Sequence, residues 1–460
     1  MKKLFLLLLT GWALSTFLIG EKTQSVIKDY IKQSDKQSRG LYDVSIRLTS
    51  YKKSFLSANA EIEIDIIDPA IREDIAEFVR LPIKSSLTIK HGPVFFQGNP
   101  SIGLANISDT INLSDFIADK YKYEFSKYVD DDIKIISNTK FKFNGDFSNK
   151  AEINNIEINN NDLNLKISPI IMMVNGNLDA GFDSYKSSML IEDLTLNMPG
   201  NYFNIKDFKF DSNVDELFGG FYPLGVGQLK IEEITLRTSE TNIPPISLSV
   251  KANSKAHRKN DRLFDKSEIN LVILNPDKLG FKMPMDSINI VGNFSGILEE
   301  DFKSLWNLIS ISSTMSEDQL MNRFGEWFNT FLSRSDLDYG VKITSSKDKK
   351  DTGSMDFKLS YIGQKNTGES IDQTFLNFQA NPLDLFTAEL HLLVNKDWLN
   401  TLDPVALDGA NTIISSLIEQ GMIRESEADY SVSASYKDQT PIVNGKRFSD
   451  ELAGVLNQVR

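Results

Sequence analysis

The chain contains no cysteine, and its 460 residues include only three histidines, His91, His257 and His391. The missing thiols exclude disulfides, a thiol nucleophile, thiolate-held metal and a cysteine-linked lipid anchor, so the fold rests on packing alone. The histidines are far apart and none has a metal-ligand spacing such as H-E-x-x-H, so neither a metal site nor a cofactor is expected. There is no G-x-S-x-G elbow, phosphate-binding glycine loop or nucleotide fingerprint, which leaves hydrolase and NTPase readings without support. Positive charge is in deficit: 50 lysines and arginines face 63 acidic residues, a net charge of −13. No basic stripe offsets that field, so nucleic acid is not an expected partner.

Long apolar runs are also missing, with one exception. Lys2 and Lys3 precede an uncharged stretch from Leu4 to Gly20, which Glu21 and Lys22 close. Its length is near the minimum that crosses about 30 Å of hydrocarbon, and the two lysines favour a cytoplasmic N-terminus. Segment 1–20 is therefore expected to be an uncleaved single-pass anchor, with the remainder beyond the membrane. The alternative is a cleaved signal peptide, which Leu18 and Gly20 fit poorly as residues before a cut. Segment 21–40, with Val26, Tyr30 and Ile31 at helical spacing, predicts a juxtamembrane helix or stalk.

Residues 41–300 read as β-rich, and residues 301–460 as a mixed α/β region continuing the same sheet. Asp68-Pro69 predicts a helix start, with Ile71, Ile75, Phe78 and Val79 packing on the sheet. Ser316 and Gln319 predict a capping box, followed by a stripe of Leu320, Phe324, Trp327, Phe328 and Phe331. Asp403-Pro404 opens a further helix that Gly421 ends, and Asn444-Gly445 marks a turn.

One local pattern recurs four times: INNIEI from Ile153, IEDLTL from Ile191, IKDFKF from Ile205 and IEEITL from Ile231. Two polar residues separate the first apolar position from the next, and alternation then resumes with its parity shifted. A strand of period two cannot keep such a set on one face, whereas a β-bulge restores it and bends the strand. The expected fold is mainly β (α+β). It is an extended, curved antiparallel sheet with β-bulges, flanked by several amphipathic helices, plus one N-terminal transmembrane helix. The alternative makes each doublet a turn between short strands. If the sheet forms a gutter, Leu194, Leu196, Phe208, Phe210, Ile234 and Leu236 offer an apolar face for acyl chains, with the stripe from Leu320 to Phe331 as its cover. Otherwise the stripe and the face make an ordinary core.

Three further segments invite chemical readings. DTGS at Asp351–Ser354 copies an aspartic-protease signature, but the polar SSKDKK before it predicts a solvated turn. KANSKAHRKNDR, Lys251–Arg262, predicts a solvated loop, the alternative being contact with anionic lipid or lipopolysaccharide head groups. His91-Gly92-Pro93 demands a turn, which a histidine side-chain hydrogen bond is expected to fix.

These residues carry a resemblance to the YdgA-like family of bacterial envelope proteins, a group of largely unknown function. YKKSFLSA, Tyr51–Ala58, resembles that family's Y-x-R-G-x-F-S-S segment and retains Tyr51 and Ser57, with Lys53 and Ser54 in place of Arg and Gly. His91, Gly92 and Pro93 match its HGP, and Tyr436 with Asn444 and Gly445 is similar to its closing Y-x-N-G-x-x-x-x-N-G, with Gln439 in place of the first Gly. The resemblance implies an inner-membrane, single-pass protein with its bulk in the periplasm, self-association as a homo-oligomer, and no catalysis. The bulged-strand style also resembles AsmA-like envelope proteins implicated in lipid movement. The leading expectation is a non-catalytic scaffold or partner-binding module in cell-envelope maintenance. The alternative is a protein that binds or transfers phospholipid in a curved apolar groove.

Overall fold

The computed structural model describes residues 16, 18–32, 34–35, 44–95, 101–129, 132–160, 162–178, 183–219, 222–239, 244–276, 285–312, 315–361, 386–399, 404–437 and 440–447. The chain divides into two compact units, Met1–Glu216 and Leu217–Arg460. Most of the predicted anchor, and the strand expected at 375–381, lie outside the described residues. Among the described residues no helix is long and apolar enough to cross a membrane.

In the first unit, α1 (residues 18–32) lies on an antiparallel sheet. The strands are β1 (Val44–Lys53), β2 (Ser57–Ile66), β3 (Ile83–His91), β6 (Ala105–Asn112), β7 (Lys134–Phe141), β8 (Asp146–Ile153), β11 (Ile170–Asn177), β12 (Tyr185–Met198) and β13 (Asn201–Phe218), paired in that order. β1 and β2 form a hairpin, Ile46 facing Ile64 and Leu48 facing Ile62. Ile27 and Ile31 of α1 are buried with Ala58, Ala60, Ile89 and Phe141. The expected stalk is thus a core helix: small alanines on β2 let it approach the sheet, and Tyr30 meets Phe141 edge-on at 5.8 Å.

The next helix, α2 (Pro69–Ala76), is capped as predicted by Asp68, whose Oδ1 accepts from the backbone N–H of Ala70 and Ile71, both at 2.9 Å. Its apolar face does not pack on the sheet. Ile71 and Phe78 are 47% and 55% exposed, because the helix lasts only two turns and Phe78 instead stacks on Tyr121 of α3 (Asp119–Tyr128).

The repeated doublets meet one another in register at three of their four positions, where separate bulges are expected. Asn154-Asn155 separates β8 from β9 (Ile156–Asn159), and Ser168-Pro169 separates β10 (Asn164–Ile167) from β11. Ile153, Ile170, Ile191 and Phe208 form one cross-strand row, and Ile156, Ile167, Leu194 and Ile205 form the next. Each strand therefore carries its two extra residues at the same level, and the register between β12 and β13 is unchanged on either side of them. The offsets match, so the outcome is a transverse crease instead of separate bulges. Asp207 takes a left-handed φ of 52° there, and a polar knot fastens it: the Asn204 amide donates to Asp193 Oδ1 at 2.8 Å and Thr195 Oγ1 at 2.9 Å. Of the four doublets, the one at Ile231 gives its strand a residue on its neighbour, between Ile231/Val250 and Ile234/Leu248, and further register shifts fall outside the doublets at Leu48/Ser50, Arg262/Phe264 and Ser345/Ser346.

The second unit is an antiparallel meander of β14 (Tyr222–Thr238), β15 (Ile246–Lys259), β16 (Arg262–Ile273), β17 (Ser287–Leu298), β18 (Leu337–Lys347), β19 (Lys350–Tyr361), β20 (Phe386–Asn395), β22 (Asp429–Lys437) and β23 (Thr440–Val443). Segment 251–262 is not a loop, since its residues continue β15 into a tight turn at Asn260 and Asp261, both with positive φ. α4 (Glu299–Ser310) and α5 (Glu317–Arg334) cover one end of this sheet, where Phe218, Leu224, Leu263, Ile297, Phe331 and Tyr361 are buried. The predicted capping box at Ser316 and Gln319 is present.

Candidate functional site

The apolar face is described for each unit separately. In the first, Leu194, Leu196, Phe208 and Phe210 are half-buried and belong to rows with Ile167, Leu165, Ile191 and Met189. None of them is in the cluster beneath α1. In the second, Ile234 pairs with Leu248 and Leu236 with Ile246, and Leu236 is 43% exposed. One row there runs through Leu229, Ala252, Ile269, Ile290, Ile343, Met355, Leu392 and Val432, one residue from each of eight strands. Every member is apolar, and every one is only half-buried.

The aromatic helix covers less than expected. Phe331 is buried, and Trp327 and Phe328 pack beside it against the end cluster. Phe324 is 43% exposed, and Met321, one residue after Leu320, is 65% exposed. The stripe is core at its C-terminal half and exposed at its N-terminal half, because the ties of α5 to α4 among the described residues, Trp327 to the Asp301 carbonyl and Arg334 to the Asp301 carboxylate, lie in its last three turns. The opposite sheet face is ionic, with Lys150–Glu152 at 2.9 Å, Lys209–Asp211 at 3.0 Å and Lys166–Glu157 at 3.8 Å. Such segregation gives each strand one wet, charged side and one greasy side lacking a complete cover.

The residues singled out by family resemblance fall into two structural clamps. Lys53 pairs with Glu21 of α1, and the buried Tyr51 hydroxyl is pushed up from its usual pKa by burial first and by Glu21 second. His91, 3% exposed, lies against Gly20 so closely that a Cβ there would stand 2.8 Å from the imidazole Cε1. Neither ring nitrogen makes a hydrogen bond of full geometry among the described residues, although the backbone of Ser57 and Ser54 in the β1–β2 turn lies near enough to favour the charged ring. Burial holds this histidine below its usual pKa. Gly92 follows with φ 143°, a conformation side chains resist, and it faces Thr16. Ser57 contributes its carbonyl, which accepts from the Ser54 N–H at 2.7 Å in the β1–β2 turn.

The second clamp is Asn444-Gly445. Asn444 has φ 50°. Its side chain donates to the carbonyls of Gly421 at 3.2 Å and Met422 at 2.9 Å, beyond the C-terminus of α6 (Pro404–Glu419), and accepts from the Ser433 N–H at 2.9 Å. Tyr436 lies on β22, paired with Ala388 and Pro441. Asn444→Ala should cost roughly 2–3 kcal/mol, from unsatisfied carbonyls and a strained alanine; a fall in urea midpoint with unchanged slope checks this.

Among the described residues no cluster of three His, Asp or Glu is placed to hold a metal. Asp351 of DTGS sits on β19 just past a turn and accepts from Ser346 Oγ at 3.0 Å. The sequence reading missed Ser168-Pro169, a further copy of the offset, although Ile167-Ser-Pro-Ile170 carries the same spacing.

Compared with known proteins, residues 1–269 match the model of a bacterial protein family of unknown function, DUF945. No curated protein and no solved structure matches the chain.

Proposed function

The chain belongs to this bacterial family of unknown function, DUF945, and from the geometry of its sheet we propose that it is a non-catalytic lipid-binding protein of the cell envelope, held to the inner membrane by its N-terminal segment. The observation that carries this reading is the eight-strand apolar row from Leu229 to Val432, which no buried cluster absorbs. Each methylene of an acyl chain laid on such a face gains about 0.8 kcal/mol on leaving water. The ionic opposite face stays solvated and leaves one side of the sheet for the ligand.

The test is native mass spectrometry of the detergent-extracted protein, followed by titration with a fluorescent fatty acid. Co-purified phospholipid is expected, and Ile269→Asp with Ile343→Asp should weaken probe binding about tenfold or more, since a carboxylate on the face must be desolvated by the chain. Both side chains are only half-buried and outside the buried cluster, so the variants should fold, which circular dichroism checks. A lipid-free protein of defined stoichiometry would favour the second reading, a self-associating scaffold whose apolar rows are covered by another copy.

A further inference from the structure

The polar face of the second unit, opposite its apolar row, carries a hollow. A cavity of about 440 Å³ opens over β15 to β19, and it falls in the size range of small-molecule sites. Two cross-strand rows line it. One runs through His257, Phe264, Ser295, Asp338 and Ser360, and the other through Lys266, Asn293, Gly340 and Lys358. Gly340 hollows the row beside Lys358, which leaves Asn293 as the one side chain in that row between the two lysines.

Lys230 on this face pairs with Glu232, whereas Lys266 and Lys358 make no ion pair among the described residues. Lys266 stands directly opposite Lys255 on β15, and Lys358 opposite Glu389 on β20. Like charges facing each other across a ladder destabilise it, so an anion held by Lys266 would relieve its repulsion with Lys255. The other lining groups are of a different kind. Ser360 Oγ donates to Asp338 Oδ1 at 2.7 Å, which orients that carboxylate as an acceptor. Asn293 adds an amide, and Phe264, stacked on His257 at 5.4 Å, adds an apolar wall.

We propose that this cavity binds a sugar phosphate, with the phosphate between Lys266 and Lys358, ring hydroxyls on Asp338 and Asn293, and the ring's C–H face against Phe264. The site lies on the sheet face opposite the apolar rows, so it is independent of the acyl-chain reading.

The experiment uses full-length protein in phosphate-free buffer, titrated calorimetrically with glucose 1-phosphate, glucose and inorganic phosphate. A parallel arm measures sedimentation with phosphatidylcholine vesicles containing phosphatidylinositol, which presents a similar phosphate-linked polyol as a lipid headgroup. Saturable binding of glucose 1-phosphate supports a free ligand, and vesicle binding alone supports a headgroup. In either case Lys266→Gln with Lys358→Gln should weaken binding by about tenfold or more, as loss of charged hydrogen bonds does, while Lys230→Gln, outside the cavity, leaves it unchanged. The proposal is overturned by no saturable binding in either arm, by equal loss in Lys230→Gln, or by inorganic phosphate binding as tightly as the sugar ester. Unchanged circular dichroism of the exposed-lysine variants excludes misfolding as the cause of any loss.

Discussion

Gly20→Leu is expected to detach α1 from the first unit and lower that unit's stability by roughly 3–5 kcal/mol. A single Cβ at position 20 already meets the His91 ring at 2.8 Å, and the ring is enclosed, so a leucine has nowhere to go without lifting the helix. Lifting it exposes Ile27 and Ile31, now 1% and 8% exposed, and breaks the Thr23 hydroxyl's bond to the Leu104 carbonyl at 3.3 Å. Urea unfolding should show the loss, and hydrogen exchange should show protection falling across residues 18–32. Pairing Gly20→Ala with His91→Ala should restore part of the docking, because the cavity left by the imidazole accepts the new methyl group. The pH dependence has a definite sign. His91 has a folded pKa below its ordinary value through burial, so its contribution is complete above about pH 6.5 and is lost as pH falls toward the folded value. Acidification should therefore loosen α1 in the parent protein and have less effect in His91→Ala.

Much of this fold was legible in the sequence because local chemistry decided it. The Asp68 cap, the Ser316 capping box, the Gly421 helix end and the β1–β2 hairpin depend on residues within a few positions of one another. The recurring doublets were legible as an odd offset but not as a crease, since whether an offset shifts register depends on the strand opposite. Ile231 faces Val250 on a strand without a doublet and bulges, while Ile191 faces Phe208 on a strand that has one and does not. Segment 251–262 read as a loop because its charges hid the alternation of Ala252 and Ala256, small residues on the apolar side of β15. For the candidate site, the apolar residues were recognisable and their degree of cover was not. That depends on where α5 is fastened, which is a tertiary contact between residues far apart in the chain.

Arg334→Met is expected to loosen that fastening and cost the second unit roughly 2–4 kcal/mol. The Asp301 side chain is 1% exposed, and its carboxylate is held by the Arg334 guanidinium and by Ser335 Oγ at 2.8 Å. The Asp301 carbonyl also accepts from Trp327 Nε1 at 2.8 Å, so α4 and α5 share one polar joint. Removing the guanidinium strands a buried charge on a single hydroxyl. Arg334 itself is 41% exposed, which places the cost below that of a fully buried pair. Adding Asp301→Leu to the variant should recover most of the loss, because an apolar pair needs no compensating charge. Urea midpoints of the parent protein and both variants give the comparison. Arg334→Met should also raise exchange of α5 amides and, by freeing Phe331 and Trp327 from Leu263 and Tyr361, lengthen the open apolar face toward the end cluster. If that face takes acyl chains, the variant will bind more probe per molecule while being less stable, a combination that a purely structural helix would not produce.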